Sequence, residues 1–171
     1  MQKNNIEIEK KYQLKYLPKK FELIDKYEIK QYYLIWANKW SNARIRIIDN
    51  HKFIQTVKTH QDDGQIGIDE KEIEVSKHQA KELLKFFWVN NMKPVKKTRL
   101  VIDLWPKYNN LKAEVDIFGG RLKGKRFVEV EFANPAEMVN FVKPRRFGKE
   151  LNISNKDLFK KINKLTKNAI L

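Results

Sequence analysis

The chain has 171 residues, with 36 Lys plus Arg against 21 Asp plus Glu, a formal net charge of +15 at pH 7, and no cysteine. A disulfide scaffold, a thiolate zinc site and a cysteine nucleophile are excluded, and 42% hydrophobic residues with 12% aromatics suffice for one packed core. No apolar stretch approaches the roughly 20 residues of a membrane-spanning helix and the charged Met1–Lys11 segment lacks the apolar region of a secretory signal, so a cytoplasmic protein with an anionic partner is expected.

Ile6–Leu14 alternates with period two, which places Glu7, Glu9, Lys11 and Gln13 on one face of a strand and Ile6, Ile8, Tyr12 and Leu14 on the other. A short helix is expected near Pro18–Asp25, followed by an aromatic and β-branched strand over Tyr27–Trp36. Asn42–Asp49 sets Arg44 and Arg46 between Ala43, Ile45 and Ile47, and a turn at Asn50-His51 leads into a hairpin partner over Lys52–Thr59, with Lys58 near its end. Asp62-Asp63-Gly64 signals a turn, after which Glu70, Glu72 and Glu74 share one strand face. The period then changes: Ser76 and Gln79 resemble a capping box, and Ala80, Leu83, Leu84 and Phe87 recur at helical spacing as far as Asn90-Asn91. Three strands follow, Val95–Trp105 with Lys97, Arg99 and Asp103 on one face, Leu111–Phe118 with Glu114 and Asp116, and Phe127–Phe132 with Glu129 and Glu131. Two helices close the chain, one capped by Asn134 ahead of Pro135 and one opened by Ser154 with Asp157. Nothing in the sequence marks a repeat or a linker, so residues 1–171 read as one domain.

About eight strands with few helices make an α+β fold, and nearly every strand sets a charged face against an apolar one. A solvated sheet face usually mixes small polar residues with its charges. These faces carry compact like-charged pairs two residues apart: Glu7/Glu9, Arg44/Arg46, Glu70/Glu72, Lys97/Arg99, Glu114/Asp116 and Glu129/Glu131. Such neighbours repel unless opposite charges sit between them. An eight-stranded antiparallel closed β-barrel gathers the pairs around a polar lumen and leaves the apolar faces to helices packed outside. Arg44, Arg46, Lys58, Lys97 and Arg99 are then candidates to bind phosphate, by bidentate guanidinium contact or as point charges.

The Glu7-x-Glu9-x-Lys11 run resembles the ExExK signature of the CYTH superfamily, the triphosphate tunnel metalloenzymes. The resemblance continues in order through Lys30-Gln31-Tyr32-Tyr33-Leu34, Arg44-x-Arg46, Thr56-Val57-Lys58, Glu70-x-Glu72, Lys97-Thr98-Arg99, Glu114-Val115-Asp116-Ile117-Phe118, Val128-Glu129-Val130-Glu131-Phe132 and Gly148-Lys149-Glu150-Leu151. It is closest in pattern to bacterial inorganic triphosphatases. The resemblance implies a tunnel that binds a triphosphate with Mg²⁺ or Mn²⁺, with Glu7, Glu9, Asp116, Glu129 and Glu131 on the metal side and Glu70 and Glu72 orienting waters or a second metal. It also implies that Lys11, besides touching phosphate, works with Tyr33 on the attacking water. The chain departs from the family pattern at Tyr32, where glycine is common, at Ile68, near the place of an arginine, and over Pro144–Gly148, which lacks a tryptophan; an altered C-terminal plug is expected.

The leading expectation is hydrolysis of inorganic tripolyphosphate to pyrophosphate and phosphate. Thiamine triphosphatase, nucleoside triphosphatase and class IV adenylyl cyclase activities share the triphosphate group and stay open, as does a non-catalytic polyphosphate- or RNA-binding role. The expected partner is a small-molecule triphosphate rather than a membrane or nucleic acid, and a homodimer is common in similar proteins. His51, His60 and His78 sit at turns or a helix start, without zinc-site spacing. Trp36, Trp40, Trp88 and Trp105 read as core or tunnel-rim packing, and Lys156–Lys167 as a solvated amphipathic helix.

Overall fold

The alternating segments form strands that join a single sheet. A computed structural model describes residues 3–17, 21–34, 41–60, 68–89, 91–104 and 111–151. In chain order these contain β1 (Lys3–Glu7), β2 (Glu9–Leu14), β3 (Glu22–Leu34), β4 (Ser41–Ile48), β5 (Lys52–His60), β6 (Ile68–Glu74), α1 (Lys77–Val89), β7 (Val95–Asp103), β8 (Lys112–Phe118), a 3₁₀ turn (Gly120–Leu122), β9 (Arg126–Glu131), α2 (Pro135–Asn140) and β10 (Phe147–Glu150).

All neighbouring strands pair antiparallel, in the order β1-β6-β5-β4-β3-β7-β8-β9-β2-β10. Among the described residues the expected eight-stranded closed barrel is thereby corrected to a ten-stranded sheet that does not close, with β1 and β10 at its edges. The extra strands have two sources. The expected first strand breaks at Ile8, whose carbonyl accepts from the Phe132 amide at 2.8 Å instead of continuing a ladder. Its halves then serve different neighbours, β1 pairing with β6 and β2 with β9. β10 adds on the free side of β2, where Gly148 lies so close that a Cβ would stand 2.9 Å from the Gln13 carbonyl oxygen.

A second correction concerns the helix expected near Pro18–Asp25. Glu22–Asp25 belongs to β3 and pairs with β7 across a bulge between Leu23 and Asp25, so sheet pairing overrides a weak local helix signal. Pro18–Lys20 lies outside the described residues, as do the Asp62-Asp63-Gly64 turn, Trp36, Trp40, Trp105 and the segment with Ser154, Asp157 and Lys156–Lys167. The β4–β5 turn centres on Asp49-Asn50, one residue earlier than expected; both have positive φ, 50° and 62°, which polar Asp and Asn tolerate.

The outward faces pack as the alternation requires. Tyr12, Leu14, Leu100, Ile102, Val115, Val128, Val130, Phe132 and Phe147 form one core, with Met138 and Phe141 packed against it. α1 seats Leu84 and Phe87 on Tyr32 and Ile45. Its capping box is present: the Gln79 amide donates to the Ser76 hydroxyl at 3.2 Å and the Ser76 amide to the Gln79 side chain at 2.9 Å. α2 is capped likewise, with the Glu137 amide donating to the Asn134 side chain at 2.9 Å. Trp88, expected in packing, is instead 53% exposed on the outer side of α1. No helix among the described residues is long and apolar enough to cross a membrane.

Candidate functional site

Residues directly opposite one another in antiparallel strands share a face, so the strand registers trace one charged wall around the sheet. Tyr33 and Gln31 of β3 lie opposite Arg44 and Arg46 of β4, and Arg44 lies opposite Thr56 of β5. Thr56 and Lys58 lie opposite Glu72 and Glu70 of β6. On the other side, Arg99 of β7 lies opposite Asp116 of β8, Glu114 opposite Glu129 of β9, and Glu129 and Glu131 opposite Lys11 and Glu9 of β2. An ion pair from Lys58 to Glu7 brings in β1. Every acidic, basic and tyrosine candidate named from the sequence falls on this wall.

Lys58, Lys97, Arg99 and Asp116 are buried. Buried charges cost several kcal/mol each unless paired, on the order of 3–5 when one partner is lost, and the wall is correspondingly cross-linked. Asp116 takes Arg99 Nε on Oδ1 at 2.7 Å, and on Oδ2 both Arg99 Nη2 at 2.8 Å and Lys97 Nζ at 2.5 Å. Arg99 continues to Glu114 and, at 2.9 Å, to Glu129, whose other oxygen holds Lys11. Across the sheet, Arg44 reaches Glu70 at 3.0 Å, Lys58 reaches Glu70 at 3.5 Å, and Arg46 approaches Glu72 at 3.7 Å. Thr56 donates to Glu72 at 2.9 Å. Phe118 and Phe127, edge to face with centroids 5.4 Å apart, lie beneath the Lys97 and Lys11 ammonium groups, each 6.0 Å from a ring centroid.

Burial and mutual fields set the ionisation of the wall. Burial pushes the Lys11 ammonium below its usual range, against the pull of Glu9 and Asp116 and with help from Arg99 and Lys58. Burial beside Arg99 pushes Lys97 down well below the usual range. Arg46, buried next to Arg44 and Arg99, falls to about 10. Burial raises the Tyr33 hydroxyl, partly offset by Arg44 and Arg46. Asp116 is held low: burial would raise it, but Lys97 and Arg99 overcome that. Burial would raise Glu7, but Lys58 and Arg44 together bring it below the usual range, whereas burial and Glu7 raise Glu70. Glu131 is pushed up to about 7 by partial burial and by repulsion from Glu114, Glu7 and Glu9.

Six cations, Lys11, Arg44, Arg46, Lys58, Lys97 and Arg99, thus share the wall with eight carboxylates, Glu7, Glu9, Glu70, Glu72, Glu114, Asp116, Glu129 and Glu131. The chain's surplus of +15 lies off this wall. Among the described residues Glu9 and Glu131 make no ion pair, and no group of three His, Asp or Glu is arranged to hold a metal ion as it stands. One member was missed from sequence: Gln31, buried on the wall, was visible only as the i−2 neighbour of Tyr33. Glu114, placed on the lumen face with Asp116 from sequence but given no role, binds Arg99.

Several known proteins are similar. The inorganic triphosphatase NE1496 is 25% identical, with 98% of this chain and 96% of that one covered and a TM-score of 0.59. At fold level alone, HpAC1 from Hippeastrum, a candidate adenylyl cyclase with a dominant triphosphatase activity, is 16% identical with a TM-score of 0.55, covering 92% of this chain and 88% of that one. PH1012 from Pyrococcus horikoshii OT3 is 19% identical with a TM-score of 0.53, covering 97% and 91%. No curated protein sequence matches significantly. The family model for the CYTH domain matches residues 5–162, and the chain belongs to the CYTH domain family.

Proposed function

We propose that this protein is a metal-dependent phosphoanhydride hydrolase acting on a triphosphate, with inorganic tripolyphosphate, cleaved to pyrophosphate and phosphate, as the favoured substrate. The observation that carries the reading is the set of six cations converging on one wall, five of which, Lys11, Arg44, Lys58, Lys97 and Arg99, already hold carboxylate oxygens in geometry that phosphoryl oxygens can take over. A triphosphate carries roughly four negative charges near neutral pH and needs several fixed cations of this kind. The 25% identity to an inorganic triphosphatase over nearly the whole length supports the same choice.

The carboxylate surplus suits a divalent metal. Burial together with repulsion from Glu114, Glu7 and Glu9 lifts Glu131 to about 7; a cation relieves the repulsive part, and an all-oxygen donor set fits Mg²⁺ or Mn²⁺. Glu7, Glu9, Asp116, Glu129 and Glu131 would hold it, with Glu70 and Glu72 serving its waters or a second ion. Bound there, it would supply neutralisation of charge on the phosphoryl oxygens.

The chain's own residues do the rest. Arg44 and Arg46 fork onto phosphoryl oxygens while Lys58, Lys97 and Arg99 add fixed positive charge along the substrate. Lys11, its ammonium destabilised by burial, releases its proton more readily than a free lysine and accepts one from the attacking water, which Tyr33 helps to place. The deciding experiment measures phosphate and cyclic AMP release from tripolyphosphate, thiamine triphosphate and ATP with Mg²⁺, with Mn²⁺ and with chelator. Fastest release from tripolyphosphate, lost with chelator, is expected; no release from any substrate with either metal overturns the reading.

A further inference from the structure

One buried polar side chain on the wall is used by neither the ion-pair network nor the proton transfer. Gln31 is 1% exposed and lies opposite Arg46 of β4 on one side and Val95 of β7 on the other. Its side-chain carbonyl Oε1 has no hydrogen-bond partner among the described residues. The Nε donors of Arg44 and Arg46 share that condition. An unsatisfied buried polar atom costs about 1–3 kcal/mol, and folded interiors keep few of them. Three such atoms on adjacent strands mark a place where a polar ligand completes the bonding.

The three atoms differ in what they accept. Two guanidinium N–H groups suit phosphoryl oxygens, whereas an amide carbonyl repels them and takes a hydrogen from an O–H group. Beside Arg44 and Arg46 a terminal phosphate stays ionised and brings no O–H of its own. Water is the remaining O–H that hydrolysis requires. Tyr33, two residues along β3, shares the face and borders the same spot.

Resting on the function proposed above, we infer that Gln31 is a catalytic residue that orients the attacking water through Oε1, while the Nε groups of Arg44 and Arg46 hold the terminal phosphoryl group in line with it. The water oxygen forms the new bond to phosphorus, and the bridging P–O bond breaks with its electron pair leaving on pyrophosphate. One water hydrogen, the one bonded to Gln31, stays on the product phosphate; the other is lost as a proton to bulk water. An amide takes no proton at neutral pH, so Gln31 contributes direction alone.

Gln31→Met keeps the length of the side chain and removes the amide. Turnover of tripolyphosphate should fall on the order of 100-fold, the cost of misplacing a reacting group by about an ångström. Affinity for a non-hydrolysable imido analogue should stay within about threefold, because water orientation is a transition-state effect. The melting temperature should hold or rise, because an orphan acceptor has been removed. Gln31→Glu, which retains an acceptor oxygen, should turn over faster than Gln31→Met while binding the analogue more weakly through its added charge. Wild-type turnover in Gln31→Met, a loss that tracks lowered melting temperature or weakened analogue binding, or no advantage of Gln31→Glu over Gln31→Met each overturns the assignment alone. A wild-type protein that hydrolyses no triphosphate overturns the proposed function and this assignment with it.

Discussion

Arg99 grips Asp116 with two parallel hydrogen bonds, Nε to Oδ1 at 2.7 Å and Nη2 to Oδ2 at 2.8 Å, while Lys97 holds the same carboxylate at 2.5 Å. One buried anion therefore pairs with two buried cations, and Arg99 also donates to Glu114 and Glu129. Asp116→Ala strands Lys97 and takes the bidentate partner from Arg99, which keeps Glu114 and Glu129, and should destabilise the protein by about 3–5 kcal/mol in urea denaturation. Unaltered stability would show that Asp116 is not the counter-ion of the wall.

Tyr33 is assigned to the reaction, and so is Lys11 in addition to its contact with phosphate. Lys11→Ala and Tyr33→Phe should each depress kcat far more than they weaken binding of a triphosphate analogue. Burial lowers the Lys11 ammonium below 10.5, so turnover should rise with pH as the amine loses its proton, with a midpoint below that value. In Lys11→Arg this rise should vanish, because a guanidinium stays protonated. Pre-steady-state kinetics with pH variation checks both statements.

Glu131 gives a stability signature that needs no substrate. A carboxyl raised from 4.5 to about 7 binds its proton more tightly in the folded state, so its ionised form costs the fold stability. That penalty is absent below about pH 4.5, grows as pH rises toward 7, and is complete above it. Glu131→Gln, measured with chelator, should therefore match wild type at pH 4 and be more stable at pH 8. Solvent screening of this exposed side chain keeps the gain small. Thermal unfolding across pH tests the sign, and a destabilised Glu131→Gln at pH 8 contradicts it.

Gly148 is required by space rather than by backbone conformation. A Cβ there would meet the Gln13 carbonyl oxygen at 2.9 Å, and β2 cannot yield cheaply because β9 pairs with its other edge. Gly148→Ala should cost about 1–3 kcal/mol, as overpacked substitutions do. The bond from the Leu151 amide to the Lys11 carbonyl, 2.8 Å long, should loosen first. Faster hydrogen exchange at Leu151 is the expected readout.

Much of the fold was legible because strand faces alternate with a period of two. Alternation alone placed Arg44 and Arg46, Glu70 and Glu72, and Glu129 and Glu131 on common faces, and the Ser76 and Asn134 caps located both described helices. Local patterns also misled. Glu22–Asp25 looked helical until β7 offered it a pairing edge, and Trp88 read as core or rim packing although α1 turns it outward.

The sequence by itself determined which residues carry charge and which of them share a strand face, because side-chain direction follows from backbone period. Partner choice was decided only by the tertiary structure. Nothing in the local pattern says that Lys58 meets Glu7 across 51 positions or that Lys11 meets Glu129 across 118, since such contacts arise from strand order and register. The same is true of the break at Ile8, which splits one alternating run between β6 and β9, and of Gln31, whose carbonyl became conspicuous only when folding buried it without a partner.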